Sequence, residues 1–216
     1  MFHLRNISVS YNNAPILHDI TLTIDEGEQV VLIGPSGAGK TTLLRKLYEL
    51  QKERAAFIHQ DYALVPQLSA FHNVYMGQLD KHNVFYNALT LARPQQREIN
   101  TITPLLTDLN LNDKLRERVS ELSGGQQQRI AVARALYRNA DAVLGDEPIS
   151  SIDPHQSDAV LTLLKQRSPT LILAMHDVNL ALKHFNRMIG LRNGRIVFDL
   201  PSSEIADDRL ANLFAQ

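Results

Sequence analysis

Apolar and polar residues alternate from the start of the chain. His3–Tyr11 and Ile16–Ile24 place apolar side chains at nearly every second position, which predicts two half-buried strands. The stretch Asn12-Asn13-Ala14-Pro15 between them reads as a turn. After the polar break Glu26-Gly27-Glu28, Gln29–Ile33 is a short β-branched run of the kind buried inside a parallel sheet. Gly34–Gly39 reads as a loop, and Lys40–Leu50 has helical spacing with Leu43, Leu44 and Leu47 on one side. Ala55–His59 predicts another strand. From Val65 to Leu115 the pattern is mostly helical, with polar breaks around Asp80–Asn83 and Arg93–Pro94. Ser123 is placed to cap a helix running through Tyr137. The remainder alternates: strand Ala142–Gly145, helix Pro154–Gln166, strand Thr170–Ala174, helix Val178–Phe185. A hairpin of Met188–Leu191 and Arg195–Phe198 turns at Asn193-Gly194, and Ser202–Phe214 reads as a short helix.

Strand and helix therefore alternate around one helical insertion, the pattern of an α/β fold with a mixed, mainly parallel sheet. The chain's 216 residues suit one large domain, with the insertion as a subdomain whose ends return to the same core. Its 22 Lys+Arg against 23 Asp+Glu leave a formal charge of −1, which gives no electrostatic footprint for nucleic acid. With no cysteine, disulfides, thiolate metal sites and thiol catalysis are excluded. The N-terminus lacks an apolar stretch of signal-peptide length, and Val30–Ile33 and Leu171–Met175 are far too short to span a bilayer.

Three segments carry chemistry. Gly34-Pro35-Ser36-Gly37-Ala38-Gly39-Lys40-Thr41 fits G-x-x-x-x-G-K-[ST] between a predicted strand and a predicted helix. Its glycines let backbone N–H groups curl around phosphate oxygens, and the helix offers its positive end to the anion. Lys40 then reaches the terminal phosphates, the Thr41 hydroxyl is a Mg²⁺ ligand, and Thr42 extends the nucleotide-contacting stretch. The expected cofactors are ATP and Mg²⁺. In Ala142–Glu147 an apolar strand ends in two carboxylates: Asp146 suits the metal, and Glu147 suits polarisation of the attacking water. Leu122-Ser123-Gly124-Gly125-Gln126 makes a second helix start able to face an anion. Read separately, the last two segments could be an ordinary strand end and a glycine turn.

Taken in this order, phosphate loop, glutamine, LSGGQ and acidic strand end, the chain resembles the nucleotide-binding domain of an ABC transporter ATPase over essentially its whole length. That resemblance implies a P-loop core of RecA type over 1–60 and 116–216, with a helical subdomain inserted at 61–115. It implies a head-to-tail pair of this chain, or of this chain and a close homologue. In that pair Ser123, Gly124, Gly125, Gln126 and Asp153 address the ATP held by the partner. Tyr11 matches the aromatic that stacks on adenine, its alternative being a strand aromatic in the core. Gln60 matches the glutamine that contacts Mg²⁺ and water, and His176 the histidine that contacts the γ-phosphate. An integral membrane permease, indirectly a solute-binding protein, and a cytoplasmic position on the inner face of the membrane are implied as well. Asn73–Gly77, Met175–Ala181 and Ile189–Phe198 are similar to the phosphonate-importer branch.

The chain departs from the family where Lys40 is followed so soon by Gln60, which predicts a truncated antiparallel β-subdomain. His59 where an aromatic is usual, Gly145 before Asp146 and Ile152 in place of leucine are smaller departures. A soluble ABC protein acting as a nucleotide-dependent switch and a P-loop kinase are the competing expectations.

Overall fold

The computed structural model describes residues 1–11 and 14–215, so the Asn12-Asn13 part of the expected turn lies outside the described residues. Contacts divide the chain into two compact units. The first comprises Met1–Phe57, Asp141–Pro148 and Ser168–Gln216, and the second Ile58–Ala140 and Ile149–Arg167.

In the first unit, β1 (Phe2–Tyr11) and β2 (Ala14–Ile24) pair antiparallel as a two-stranded sheet. A six-stranded sheet contains β3 (Gln29–Ile33), β4 (Ala55–Ile58), β5 (Ala142–Asp146), β6 (Thr170–Ala174), β7 (Arg187–Arg192) and β8 (Arg195–Pro201), in the order β4-β5-β6-β3-β7-β8. The pairs β5·β6, β6·β3 and β3·β7 are parallel, while the β7–β8 hairpin is antiparallel. Every residue of β5 and β6 is buried, as is all of β3 after Gln29. A strand covered on both faces has no use for polar alternation, which is why these segments read as unbroken apolar runs. Helix α1 (Lys40–Gln51) buries Leu43, Leu44 and Leu47 against strands of both sheets, so one core runs from Phe2 and Leu22 through Leu44 to Ile172 and Ile189.

Only Lys52–Arg54 separate α1 from β4, and the Arg54 N–H donates back to the Gln51 carbonyl at 2.9 Å. The short spacing from Lys40 to Gln60 is thus a direct helix–strand connection, and among the described residues no strand is added to the pair β1–β2 before β4. The hairpin turns at Asn193 and Gly194 with φ of 49° and 71°, the left-handed pair that a two-residue type I′ turn requires.

The second unit holds α2 (Ala70–Tyr75), α3 (Val84–Ala92), α4 (Gln96–Asp108), α5 (Gly124–Tyr137) and α6 (Pro154–Arg167). α5 is its centre, packing on α2, α4 and α6. Helix starts explain the segmentation: Ser69 accepts from the His72 N–H at the head of α2, and Asn83 from the Tyr86 N–H at the head of α3. The expected helical stretch from Val65 to Leu115 is thereby cut into pieces, with a 3₁₀ turn over Met76–Lys81.

In the first unit again, α7 (Val178–His184) is shorter by one residue than its pattern predicts. The expected single helix over Ser202–Phe214 is corrected to a 3₁₀ turn, Ser202–Glu204, followed by α8 (Asp207–Phe214). The break follows from a tether: Ser202 donates its backbone N–H to Asn186 and its hydroxyl to the Phe185 carbonyl, which fixes the turn before α8 starts.

The second unit also buries a carboxylate. Glu98 on α4 accepts hydrogen bonds from the hydroxyls of Tyr86 (2.7 Å) and Tyr137, joining α3, α4 and α5. Burial pushes the Glu98 carboxyl upward, but the two hydroxyls, with His82 and Arg97 nearby, outweigh it and leave its pKa below the usual carboxylate value. A depressed pKa means stability that is complete above the ordinary carboxylate range and is lost as pH falls through the folded-state value. Tyr137→Phe, which strips one donor from a buried acceptor, is expected to cost about 1–3 kcal/mol at neutral pH. Urea unfolding should show the gap to wild type narrowing as pH is lowered below 4.3, roughly the free glutamate value.

Candidate active site

Register assembles the site in the first unit. Leu32 on β3 lies level with Ala174 on β6, and Ala174 lies level with Asp146 on β5. Parallel strands that are level there end at one edge, so the chain leaving each strand emerges beside the others. From β3 comes Gly34 and the phosphate loop, from β5 Glu147, and from β6 Met175 and His176. Cross-links fix this edge: the Met175 N–H donates to the Leu32 carbonyl at 3.1 Å, and the Glu147 N–H to the Ala174 carbonyl at 3.1 Å.

The loop is built to expose its backbone. Gly34 has φ +151°, and a Cβ there would stand 2.1 Å from the Leu191 carbonyl oxygen, so the position excludes any side chain. Ala38 is buried and its N–H donates to the Pro35 carbonyl at 3.2 Å, while Ser36 and Gly37 face outward. α1 starts after Gly39 with no side-chain cap, so the first N–H groups of the helix, from Lys40 through Thr42, have no partner in their own helix. An uncapped helix start beneath a glycine loop is an anion site.

Lys40 is buried, and its ammonium donates to the carbonyls of Gly34 (2.7 Å) and Pro35 (3.1 Å). Burial lowers its pKa, with the carboxylates of Glu147 and Asp146 working against that. The cation therefore sits across the loop, within reach of the acidic strand end. Asp146 is buried at the end of β5. Glu147 takes the left-handed backbone conformation, φ +53°, unusual for a residue with a long side chain. Its Oε1 is 2.5 Å from His176 Nε2. A carboxylate only accepts, so the Nε2 proton of His176 is the one donated. The Glu147 side chain is 16% exposed and that of His176 49%, which puts the histidine on the solvent side of the pair.

Tyr11 ends β1 and is 65% exposed, which removes the core alternative for its ring. At Gly145 a Cβ would lie 2.7 Å from the tip of the Leu173 side chain, so a larger residue before Asp146 would need that side chain to shift.

The remaining predicted residues lie in the second unit. Ser123 caps α5 in a reciprocal box: its hydroxyl accepts from the Gln126 N–H at 3.3 Å, and Gln126 Oε1 accepts from the Ser123 N–H at 2.8 Å. That leaves Gly124 and Gly125 at the helix start. A Cβ on Gly125 would be 2.7 Å from the Ser151 carbonyl, so the segment Ser150–Asp153 rests directly on the turn. Asp153 is exposed and immediately precedes α6, accepting from the Gln156 N–H at 3.1 Å. Gln60 is exposed in a turn just after β4. Sequence reasoning passed over Gln128, whose buried amide donates to Ser150 Oγ and accepts from the Ser151 N–H. It also passed over Arg134, which donates to the carbonyls of Tyr62 and Ala63. Both follow the LSGGQ segment on α5, and only their contacts single them out.

The glycine loop at a strand–helix junction, beside an acidic strand end on the same sheet edge, defines a P-loop nucleotide-hydrolase site. A family model described as ABC transporter matches residues 17–150, and the chain belongs to that family. It is 38% identical to the phosphonates import ATP-binding protein PhnC 1 of Pseudomonas syringae pv. tomato, across 98% of this chain and 91% of that protein. With the phosphonates import ATP-binding protein PhnC of Shouchella clausii it shares 35% identity, across 100% of this chain and 92% of that protein. The first alignment spans 242 positions against 216 residues here, so that relative carries insertions, in keeping with the compact path from Lys40 to Gln60. Among solved structures, a dimeric bacterial ABC transporter cassette superposes with a TM-score of 0.81 at 26% identity, covering 94% of this chain and 99% of that one. A post-hydrolysis state of that cassette bound to ADP and Pi superposes with a TM-score of 0.79.

Gly34→Ala tests the loop geometry without any ligand. The clash with the Leu191 carbonyl should cost at least about 1–3 kcal/mol, read as a fall in thermal midpoint, whereas Ser36→Ala on the exposed side of the loop should leave the midpoint unchanged.

Proposed function

We propose that this chain is the ATP-hydrolysing subunit that energises solute transport through a separate membrane permease, the solute being of phosphonate type. The observation that carries the hydrolytic half is the single sheet edge that brings the phosphate loop, Asp146 and the Glu147–His176 pair together. The transport half rests on family membership and on the roles for which the relatives are named.

In this reading the loop from Gly34 through Thr42 binds the phosphates with backbone N–H groups, and Tyr11 stacks on the adenine. Lys40 leaves its carbonyl partners for the β- and γ-phosphates, a favourable exchange because hydrogen bonds from an ammonium to charged oxygens are stronger than those to neutral carbonyls. Among the described residues no cluster of three or more His, Cys, Asp or Glu could hold a metal by itself. The oxygens of the Thr41 hydroxyl at the start of α1 and the Asp146 carboxylate at the end of β5 suit Mg²⁺, which takes one or two protein oxygens and completes its shell with phosphate and water. Thr41, Asp146 and Gln60 are its proposed ligands, and when bound it neutralises charge on the transferring phosphoryl group. Glu147 orients the attacking water and accepts its proton, while His176, steadied by Glu147, contacts the γ-phosphate.

The turn at Ser123–Gln126 and the carboxylate of Asp153 serve the nucleotide of a second subunit in a head-to-tail pair. Its helix start is largely satisfied by its own cap, so it adds a few N–H groups to a bound phosphate where α1 supplies a whole turn. The chain acts as a single nucleotide-binding domain of 216 residues. Among the described residues no helix is long and apolar enough to cross a membrane; membrane association comes through the permease, and a solute-binding protein acts indirectly. A non-transport switch would share this chemistry, and no observation favours it.

Glu147→Gln is expected to keep ATP binding, favour the closed dimer and slow turnover by roughly 10²–10⁴-fold; unchanged turnover would remove Glu147 from its role. Lys40→Ala should instead weaken binding of a fluorescent ATP analogue by about tenfold or more. Co-purification with a candidate membrane permease, with a changed ATPase rate, tests the transport half; no association with any permease would count against it.

A further inference from the structure

The turn that follows Gln60 is strained. Tyr62 and Ala63 both occupy the left-handed backbone region, at φ 63° and 46°. Neither is glycine or asparagine, so each pays for the close approach of its Cβ to the backbone. Two in succession persist only where other contacts hold them, and here one side chain does so. Arg134 of α5 donates from one guanidinium nitrogen to the Ala63 carbonyl and from another to the Tyr62 carbonyl, each at 2.6 Å. A planar fork suits two adjacent carbonyls in a way that a point-charge ammonium does not.

The contacts then close on themselves. The Tyr62 hydroxyl donates to Ser151 Oγ at 2.7 Å. Ser151 in turn donates its N–H to the Gln128 side chain at 2.8 Å, and its carbonyl lies against Gly125. Gln128, Gly125 and Arg134 all belong to α5. One ring of contacts within the second unit therefore ties the turn beside Gln60 to both the Ser123–Gln126 turn and the Ser150–Asp153 segment.

We infer that Arg134 and Tyr62 are positioning residues for ATP hydrolysis: together they hold the turn beside Gln60 in its strained form and in step with the LSGGQ helix. The inference rests on the ATPase reading above. It explains why the strain is kept: released from Arg134, Tyr62 and Ala63 relax to ordinary backbone and carry Gln60 with them. Gln60 is then placed by α5 rather than by its own sequence neighbours.

The experiment compares wild type, Arg134→Lys, Ala63→Gly and the double variant R134K/A63G in steady-state ATPase assays. Thermal melting and ATP titration run alongside. Lysine keeps the charge but loses the fork, so kcat should fall about ten- to a hundredfold through misplacement of Gln60, with ATP affinity kept. Glycine adopts the left-handed conformation without cost, so Ala63→Gly should recover a large part of the lost kcat in the R134K background. A purely structural arginine would give the opposite pattern: a lowered melting temperature with kcat intact, or no recovery from the glycine. Either result overturns the inference. Should R134K not fold, Tyr62→Phe carries the test, with a lower kcat at unchanged ATP affinity supporting the ring of contacts and an unchanged kcat refuting it. A wild-type chain that hydrolyses no ATP would instead fail the underlying ATPase reading.

Discussion

Everything at the candidate site follows from the hydrogen-bond register of three parallel strands. Because Leu32, Ala174 and Asp146 lie level, segments separated by more than a hundred residues leave the sheet at the same height. A slip of one residue in the β5·β6 pairing would turn a buried strand's side chains to the opposite face and move Glu147 away from His176. The register is held by burial on both faces, where polar substitution is costly, and by the two N–H donations from Met175 and Glu147 just beyond the strands. The site is thus supported by the buried strands of the first unit.

The two helix starts show how differently one backbone feature can be used. α1 begins with left-handed Gly39 and no side-chain cap, which leaves its N–H groups for a ligand. α5 begins with Ser123 and Gln126 satisfying one another's donors, which fixes the turn and presents only the glycines. The uncapped start can bind an anion strongly by itself. The capped one is a rigid, weaker donor, suited to completing a shell that another surface has already begun.

Much of this was legible in the sequence, for identifiable reasons. Buried parallel strands betray themselves as short apolar runs, and Asn193-Gly194 has few uses other than a tight hairpin. The phosphate loop declares itself through its spacing, because the geometry admits so few residues. What stayed hidden depends on contacts between distant segments. The single helix read over Ser202–Phe214 was wrong because the tether of Ser202 to Phe185 and Asn186 outweighs local propensity. The left-handed backbone of Glu147, Tyr62 and Ala63 could not be read, since none of these residues prefers it. Tyr11 was open between core and surface until its exposure was known, because a strand pattern does not say what covers its last residue.

The hairpin tip has a consequence for the order in which the molecule is made. The Gly194 N–H donates to the Ala38 carbonyl at 3.1 Å, the Gly194 carbonyl accepts from the His18 N–H at 2.9 Å, and Leu191 presses against Gly34. The phosphate loop is therefore braced by residues translated well after it. A ribosome-bound chain that has emerged only as far as Asp146 holds the loop's sequence without its buttress. The competence of the loop therefore depends on a segment translated long after the loop itself.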